Sequence, residues 1–312
     1  MMKRFNVGSS DLEASRVALG VMRIADKSRD EAAGVVRAAL EGGVTFFDSA
    51  DVYAAGKSSE VFGRALKDLG VDRSTIQIQT KFGIVNPNDS GIVRYDFSKR
   101  HLLEALDGEL ERLGTDYVDS VLLHRPDTLV DTEELAEAFN ELESSGKVRH
   151  FGVSNMNPWQ VELIQSAVSQ KMEANQLQFG LMHTHMIQQE LHANMEDSAS
   201  LDHDGGILAY SRVKKMTIQA WSPFQYGFFK GPFIDNPKFP ELNAELEALA
   251  QKYSTSKNAI AVAWILRHPA AMQVILGSMN PARLTEMIAG GDIDLERQDW
   301  WDLYVAAGNI LP

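Results

Sequence analysis

The strongest constraint on this chain is the alternation of short β-rich runs with amphipathic stretches of helical period. Eight runs stand out: Val17–Gly20, 45–48, 75–81, 117–124, 150–154, 174–178, Thr217–Trp221 and Met272–Leu276. Helical patterns open between them near Ser28, Ser58, Ser98, Thr132, Asn157, Gly206 and Glu241, and another near Asn280 follows the last run. Some openings carry their own cap chemistry. Ser28-Arg29-Asp30-Glu31 is a capping box, in which the hydroxyl and the carboxylate satisfy two otherwise orphaned N–H groups. Asn157-Pro158 sets a capping amide before a proline at the first helical position. Strands alternating with helices predict an α/β fold, and eight such units fit a closed (β/α)8 TIM barrel. The rival is an open doubly wound sheet, but no G-x-G-x-x-G follows the first strand. Ahead of Val17, residues 5–7 and 12–15 around Gly8-Ser9-Ser10 read as a β-hairpin closing the barrel bottom. Two long loops, 182–206 and 222–240, follow strand C-termini, the face on which barrel active sites sit. The chain reads as a single domain over 1–312.

Composition narrows the function. Thirty basic against 43 acidic residues give a net charge of −13, which disfavours nucleic acid and anionic membrane as partners. The absence of cysteine excludes disulfides, thiolate zinc sites and cysteine nucleophiles. The longest apolar run, 259–266, is far too short to span a bilayer. No apolar segment follows Lys3 and Arg4, so the expectation is a cytoplasmic protein, monomeric or weakly self-associating, acting on a small molecule.

Four polar residues fall where barrel chemistry is done. Asp48 ends the second run, Lys81 the third and His124 the fourth, while Tyr53 lies five residues past Asp48. Singly, each has a plain structural reading: a helix cap, a surface lysine, a rim aromatic, a loop histidine. Together, at the ends of consecutive strands, they can surround one point. An ammonium about 4 Å from a phenol, at an effective dielectric of about 20, favours the phenolate by about 4 kcal/mol, or about three pKa units. Desolvation opposes this, so the expectation is a Tyr53 lowered from its ordinary value by no more than that. Asp48 would keep Lys81 charged, and neutral His124 would align a carbonyl oxygen. Such a set protonates an oxygen that becomes alkoxide as hydride arrives.

Three other readings compete. A Schiff-base lyase would use a neutral Lys81, which Asp48 opposes. A metal hydrolase could be built on His183-Thr184-His185 with His192, although the pair lies in a loop-like stretch, and no metal is expected. A cofactor-binding sensor with slow turnover would share the same residues.

The stretch Gly43-Val-Thr-Phe-Phe-Asp-Ser-Ala-Asp-Val-Tyr53, then Thr80-Lys81-Phe82, Leu123-His124-Arg125-Pro126-Asp127 and Gly152-Val153-Ser154-Asn155, resembles in order the sequence blocks of the aldo-keto reductase superfamily. Its short-tailed bacterial oxidoreductases of the YdhF kind look most similar. The resemblance runs over nearly the whole chain. It implies reduction of an aldehyde or ketone with NAD(P)H, NADPH preferred, by a tetrad of Asp48, Tyr53, Lys81 and His124, with Tyr53 as general acid. It further implies that Ser154, Asn155 and Gln176 hold the nicotinamide carboxamide and that Trp221 stacks on its ring. Ser222, Pro223 and Phe224 would meet the pyrophosphate. Gly277, Ser278, Met279, Arg283 and Glu286 would form the adenosine 2′-phosphate block, with Met22 and Asp48 also near the cofactor. Substrate contacts would come from Met22, Val52, Phe82 and Arg125. The chain departs from the family pattern in four places: Gly277 for a lysine found in some branches, Met287 for an asparagine, Ala54 for the glycine after the tyrosine, and Val21-Met22 for threonine and tryptophan.

Overall fold

The computed structural model describes residues 2–85 and 92–312. A hairpin, β1 (Arg4–Asn6) and β2 (Glu13–Ser15), precedes the barrel, whose strands are β3 (Val17–Gly20), β4 (Phe46–Asp48), β5 (Gln77–Phe82), β8 (Val118–Leu123), β9 (Val148–Ser154), β10 (Met172–Gln178), β11 (Thr217–Trp221) and β12 (Met272–Leu276). A second small hairpin, β6 (Ile84–Val85) with β7 (Arg94–Tyr95), extends the loop after β5. The eight barrel strands are parallel and close on themselves, β12 pairing with β3 through Val274–Val17 and Leu276–Leu19. The hairpin plugs the bottom, as expected: Val7, Leu12 and Ala14 pack on Ala18, Phe46, Leu122, Ala174 and Ile275. Its tip is tied down by Gly8 N–H to Thr217 Oγ1 and Ser9 N–H to Glu173 Oε2, both 2.7 Å. Gly8 sits at φ +62°, where a Cβ would fall 2.1 Å from the Glu173 carboxylate, so glycine is required there.

The outer ring comprises α1 (Arg29–Glu41), α2 (Lys57–Asp68), α3 (Lys99–Leu113), α4 (Thr132–Ser144), α5 (Pro158–Gln165), α6 (His185–Leu191), α7 (Ile207–Lys214), α8 (Pro240–Lys252), α9 (Lys257–Arg267), α10 (Pro281–Ala289) and α11 (Arg297–Ala306). Both capping motifs read from sequence form, the Ser28 box on α1 and the Asn157 box on α5. Three helices go beyond the sequence reading. Helix α6 and a short 3-10 turn, Ser198–Ser200, occupy the stretch expected as a long loop. In α9 every residue from Ala259 to Leu266 is buried, so no polar face marks the helical period. Helix α11 is held by ring stacking of Trp300 on Trp264 at 4.9 Å, each indole N–H donating to the other's carbonyl oxygen. The third strand starts at Gln77 rather than 75 because Asp72 caps a 3-10 turn over Arg73–Thr75. Among the described residues, no helix is long and apolar enough to cross a membrane.

Candidate active site

Strand register brings the four polar residues together. Asp48 closes β4 and lies in the strand adjoining β5, which carries Lys81; β8, next again, delivers His124 one residue past its end. Lys81 is wholly buried. Its Nζ donates to Asp48 Oδ2 at 2.8 Å, to the Ser49 carbonyl at 2.7 Å and to Tyr53 Oη at 3.2 Å. Three acceptors satisfy the three ammonium protons. Burial opposes the charge on Lys81, but Asp48 and then Tyr53 outweigh it, and the lysine is raised above its ordinary value. Asp48 Oδ1 accepts from Gln79 Nε2 at 2.7 Å and Gln176 Nε2 at 3.0 Å, so both carboxylate oxygens are engaged.

Tyr53 differs from the electrostatic expectation. Its hydroxyl lies deep beside Lys81, and burial raises the phenol; the lysine pulls downward, Asp48 upward, and the net direction is up. The ammonium therefore does not acidify the tyrosine below its ordinary value, because desolvation of the phenolate exceeds the attraction. The consequence is a phenol that stays protonated across the physiological range. His124 meets Tyr53 edge-on at 5.7 Å between ring centres. Burial, then the positive charges of Lys81 and Arg125, push it well below its ordinary value, and its Nδ1 is buried without a partner. It is a neutral imidazole at pH 7.

Tyr53 opens a 3-10 turn, Tyr53–Gly56, in which Ala54 (φ +49°), Ala55 (φ +54°) and Gly56 (φ +90°) are all left-handed. Such backbone in non-glycine residues is strained and concentrates at functional sites.

Asp48, Tyr53 and His124 line a cavity of about 900 Å³ at the C-terminal mouth of the barrel. The same cavity is lined by Met22, Arg125, Ser154, Asn155, Gln176, Trp221, Ser222, Pro223 and Phe224, and also by Gly277, Ser278, Met279 and Arg283. Asn155 is fixed at φ +56°, its Nδ2 donating to Ser154 Oγ at 2.7 Å and its Oδ1 accepting the Trp221 indole N–H at 3.1 Å. Arg283 is in the first turn of α10, whose N-cap is Asn280. Four residues expected from sequence are not among the lining set, the wholly buried Lys81 being one. Phe82 is packed in the core, Val52 lies half-buried beside Tyr53, and the Glu286 carboxylate accepts from Asn258 Nδ2 at 2.7 Å. Conversely, Arg23, Lys27, Phe229, Ile234 and Asp235 line the cavity without having been singled out. Phe229, Ile234 and Asp235 belong to the long 222–240 stretch, where length was the only available signal. His192 donates from Nδ1 to the Asp197 carboxylate at 2.8 Å and from Nε2 to the Ile310 carbonyl at 3.2 Å. Among the described residues, no group of three or more potential metal ligands comes together.

The Aldo/keto reductase family model matches residues 16–304. The chain is 34% identical over 307 residues to a 6-dehydroglucose reductase of Agrobacterium fabrum, with 96% of each chain covered. It is 31% identical over 312 residues to the oxidoreductase YdhF of Escherichia coli, with 98% of each covered. In three dimensions it superimposes with a TM-score of 0.76 on an aldo-keto reductase from Klebsiella pneumoniae solved with NADPH, at 21% identity, covering 97% of this chain and 94% of that one. Matches of this length across the barrel and its site leave one conclusion: the chain belongs to the aldo/keto reductase family.

Proposed function

We propose that this protein reduces an aldehyde or ketone to an alcohol with NADPH, preferred over NADH, and that Tyr53 donates the proton. The supporting observation is the Lys81 ammonium, buried and shared between Asp48 at 2.8 Å and the Tyr53 hydroxyl at 3.2 Å at the cavity floor. The cavity residues suit the dinucleotide chemically. Ser154, Asn155 and Gln176 offer donors and acceptors to an amide, Trp221 an aromatic face, and Arg283 with Ser278 a cationic and hydroxyl end for a phosphate. When bound, the nicotinamide supplies hydride.

Neutral His124 and the Tyr53 hydroxyl then hold the carbonyl oxygen between them. As that oxygen gains negative charge it becomes far more basic than any phenolate, so even a phenol raised by burial gives up its proton. Lys81 stabilises the tyrosinate left behind, and Asp48 keeps Lys81 in place. Because the phenol starts protonated, the arrangement suits reduction better than its reverse.

Tyr53→Phe is expected to lower turnover by about a thousandfold while NADPH affinity, read from tryptophan fluorescence, stays within a few-fold. The assay panel includes hydroxylated, sugar-like aldehydes, because the Agrobacterium relative is a 6-dehydroglucose reductase. Full activity in the variant would remove Tyr53 as the acid. NADPH binding without turnover on any carbonyl would favour a sensor instead, and borohydride trapping of substrate on Lys81 a Schiff-base lyase.

A further inference from the structure

Barrel interiors are ordinarily filled by branched apolar side chains. Here four buried glutamines occupy the middle: Gln79 on β5, Gln176 on β10, Gln219 on β11 and Gln273 on β12. Their amides join head to tail. Gln273 Nε2 donates to the Ser15 carbonyl oxygen at 2.8 Å. Gln219 Nε2 donates to Gln273 Oε1 at 2.9 Å and to Gln79 Oε1 at 3.1 Å. Gln219 Oε1 accepts from Gln79 Nε2 at 2.8 Å and Gln176 Nε2 at 3.2 Å. Those two amide nitrogens also reach Asp48 Oδ1.

The direction of this chain is dictated at both ends, by the Ser15 carbonyl and by the Asp48 carboxylate, each of which can only accept. A backbone carbonyl can only accept, so Gln273 must turn its NH2 toward Ser15 and its oxygen toward Gln219. The same necessity passes along Gln219 to Gln79 and Gln176, and flipping any one amide would set N–H against N–H or oxygen against oxygen. Two consequences follow at the top. Asp48 receives two N–H donors on one oxygen and Lys81 on the other, so both its oxygens are held in place. The Gln176 nitrogen is already engaged, so its amide oxygen is the group left for the cavity.

We propose that Gln79 and Gln219 are positioning residues: Gln79 holds the Asp48 side chain against Lys81, and Gln219, together with Asp48, turns the Gln176 oxygen toward the nicotinamide amide. This rests on the reductase reading above. Gln79→Met keeps the volume but removes one donor to Asp48. Its kcat is expected to fall about tenfold while NADPH affinity stays within about twofold, measured where circular dichroism shows folded protein. Gln219→Met removes one of the two acceptors of the Gln176 NH2 and leaves Asp48 as the other, and its readout is binding alone. In the wild type, replacing NADPH by its 3-acetylpyridine analogue, which lacks the amide N–H, is expected to weaken binding about tenfold; in Gln219→Met, where Asp48 alone holds the Gln176 amide, the ratio falls to about threefold. Gln273→Met, which loses comparable buried hydrogen bonds but touches neither Asp48 nor Gln176, serves as the comparison and is expected to lower Tm without moving either readout. If the methionine variants do not fold, Gln79→Asn and Gln219→Asn withdraw the amide by one methylene and carry the same expectations. An unchanged kcat in the Gln79 variant, or the same analogue ratio in wild type and Gln219 variant, overturns the proposal even if reduction proceeds. Failure of the wild type to bind either dinucleotide overturns the reductase reading and the proposal with it.

Discussion

Asp51 is buried two residues before the tyrosine, and its Oδ1 has no hydrogen-bond partner. Burial, and then the neighbouring Glu109 carboxylate, push it up to about 7; Arg112, the Val52 N–H and Lys81 pull less strongly downward. Unfolded, the same group titrates near its ordinary value of 3.8. The native state therefore binds the extra proton between about pH 4 and pH 7, and stability falls as pH rises through that window, by up to about 4 kcal/mol. Below it both states are protonated and the effect vanishes. Asp51→Asn, which keeps the shape and removes the charge, is expected to be more stable than wild type at pH 8 and equal to it near pH 4. Urea titrations at both values check this, and a constant difference across pH would refute it. On the proposed reading, Arg283→Ala is expected to weaken NADPH about tenfold or more and NADH little, since only the former carries the 2′-phosphate. Equal losses in fluorescence titrations would show that Arg283 does not read that group.

At the scale of elements, the turn after β4 stores the strain. Arg112 of α3 lies directly beneath it: a Cβ on Gly56 would fall 2.6 Å from the Arg112 Cδ, at a φ of +90° that alanine resists. Arg112 in turn donates from Nε and Nη2 to buried Glu109, at 3.2 and 3.0 Å. Glu109 also accepts from Ser59 Oγ at 2.7 Å and Thr80 Oγ1 at 2.8 Å, which links α3 to α2 and to β5. Gly56→Ala is expected to cost about 1–3 kcal/mol of stability and to lower kcat more than it raises KM, because it displaces the segment carrying Tyr53. Thermal melts and steady-state kinetics decide it; unchanged values for both would show that the turn tolerates a side chain.

For the whole molecule, closure is the decisive fact. The first and last barrel strands pair with each other, so residues far apart in sequence complete one hydrogen-bonded ring. Removing the chain from residue 270 onward would expose β3 and β11 as unpaired edges and strip α9 of its cover by α10 and α11. The truncated protein is expected to lose cooperative unfolding, and a melt as sharp as that of the full chain would contradict this.

Read alone, the sequence determined the β/α alternation, the caps of α1 and α5, the strand ends bearing Asp48, Lys81 and His124, and the position of Tyr53. These are local properties: periodicity, cap chemistry and a residue's place at the end of a run. The fully buried α9 escaped because a helix enclosed on all sides has no polar stripe, and α6 because seven residues are too few to show one. The tertiary structure alone decided the direction of the Tyr53 shift, the elevation of Asp51 and the amide chain beneath Asp48. Each depends on desolvation and on partners contributed by other strands and helices. How far water is excluded from a buried group is fixed only once the whole barrel has closed around it.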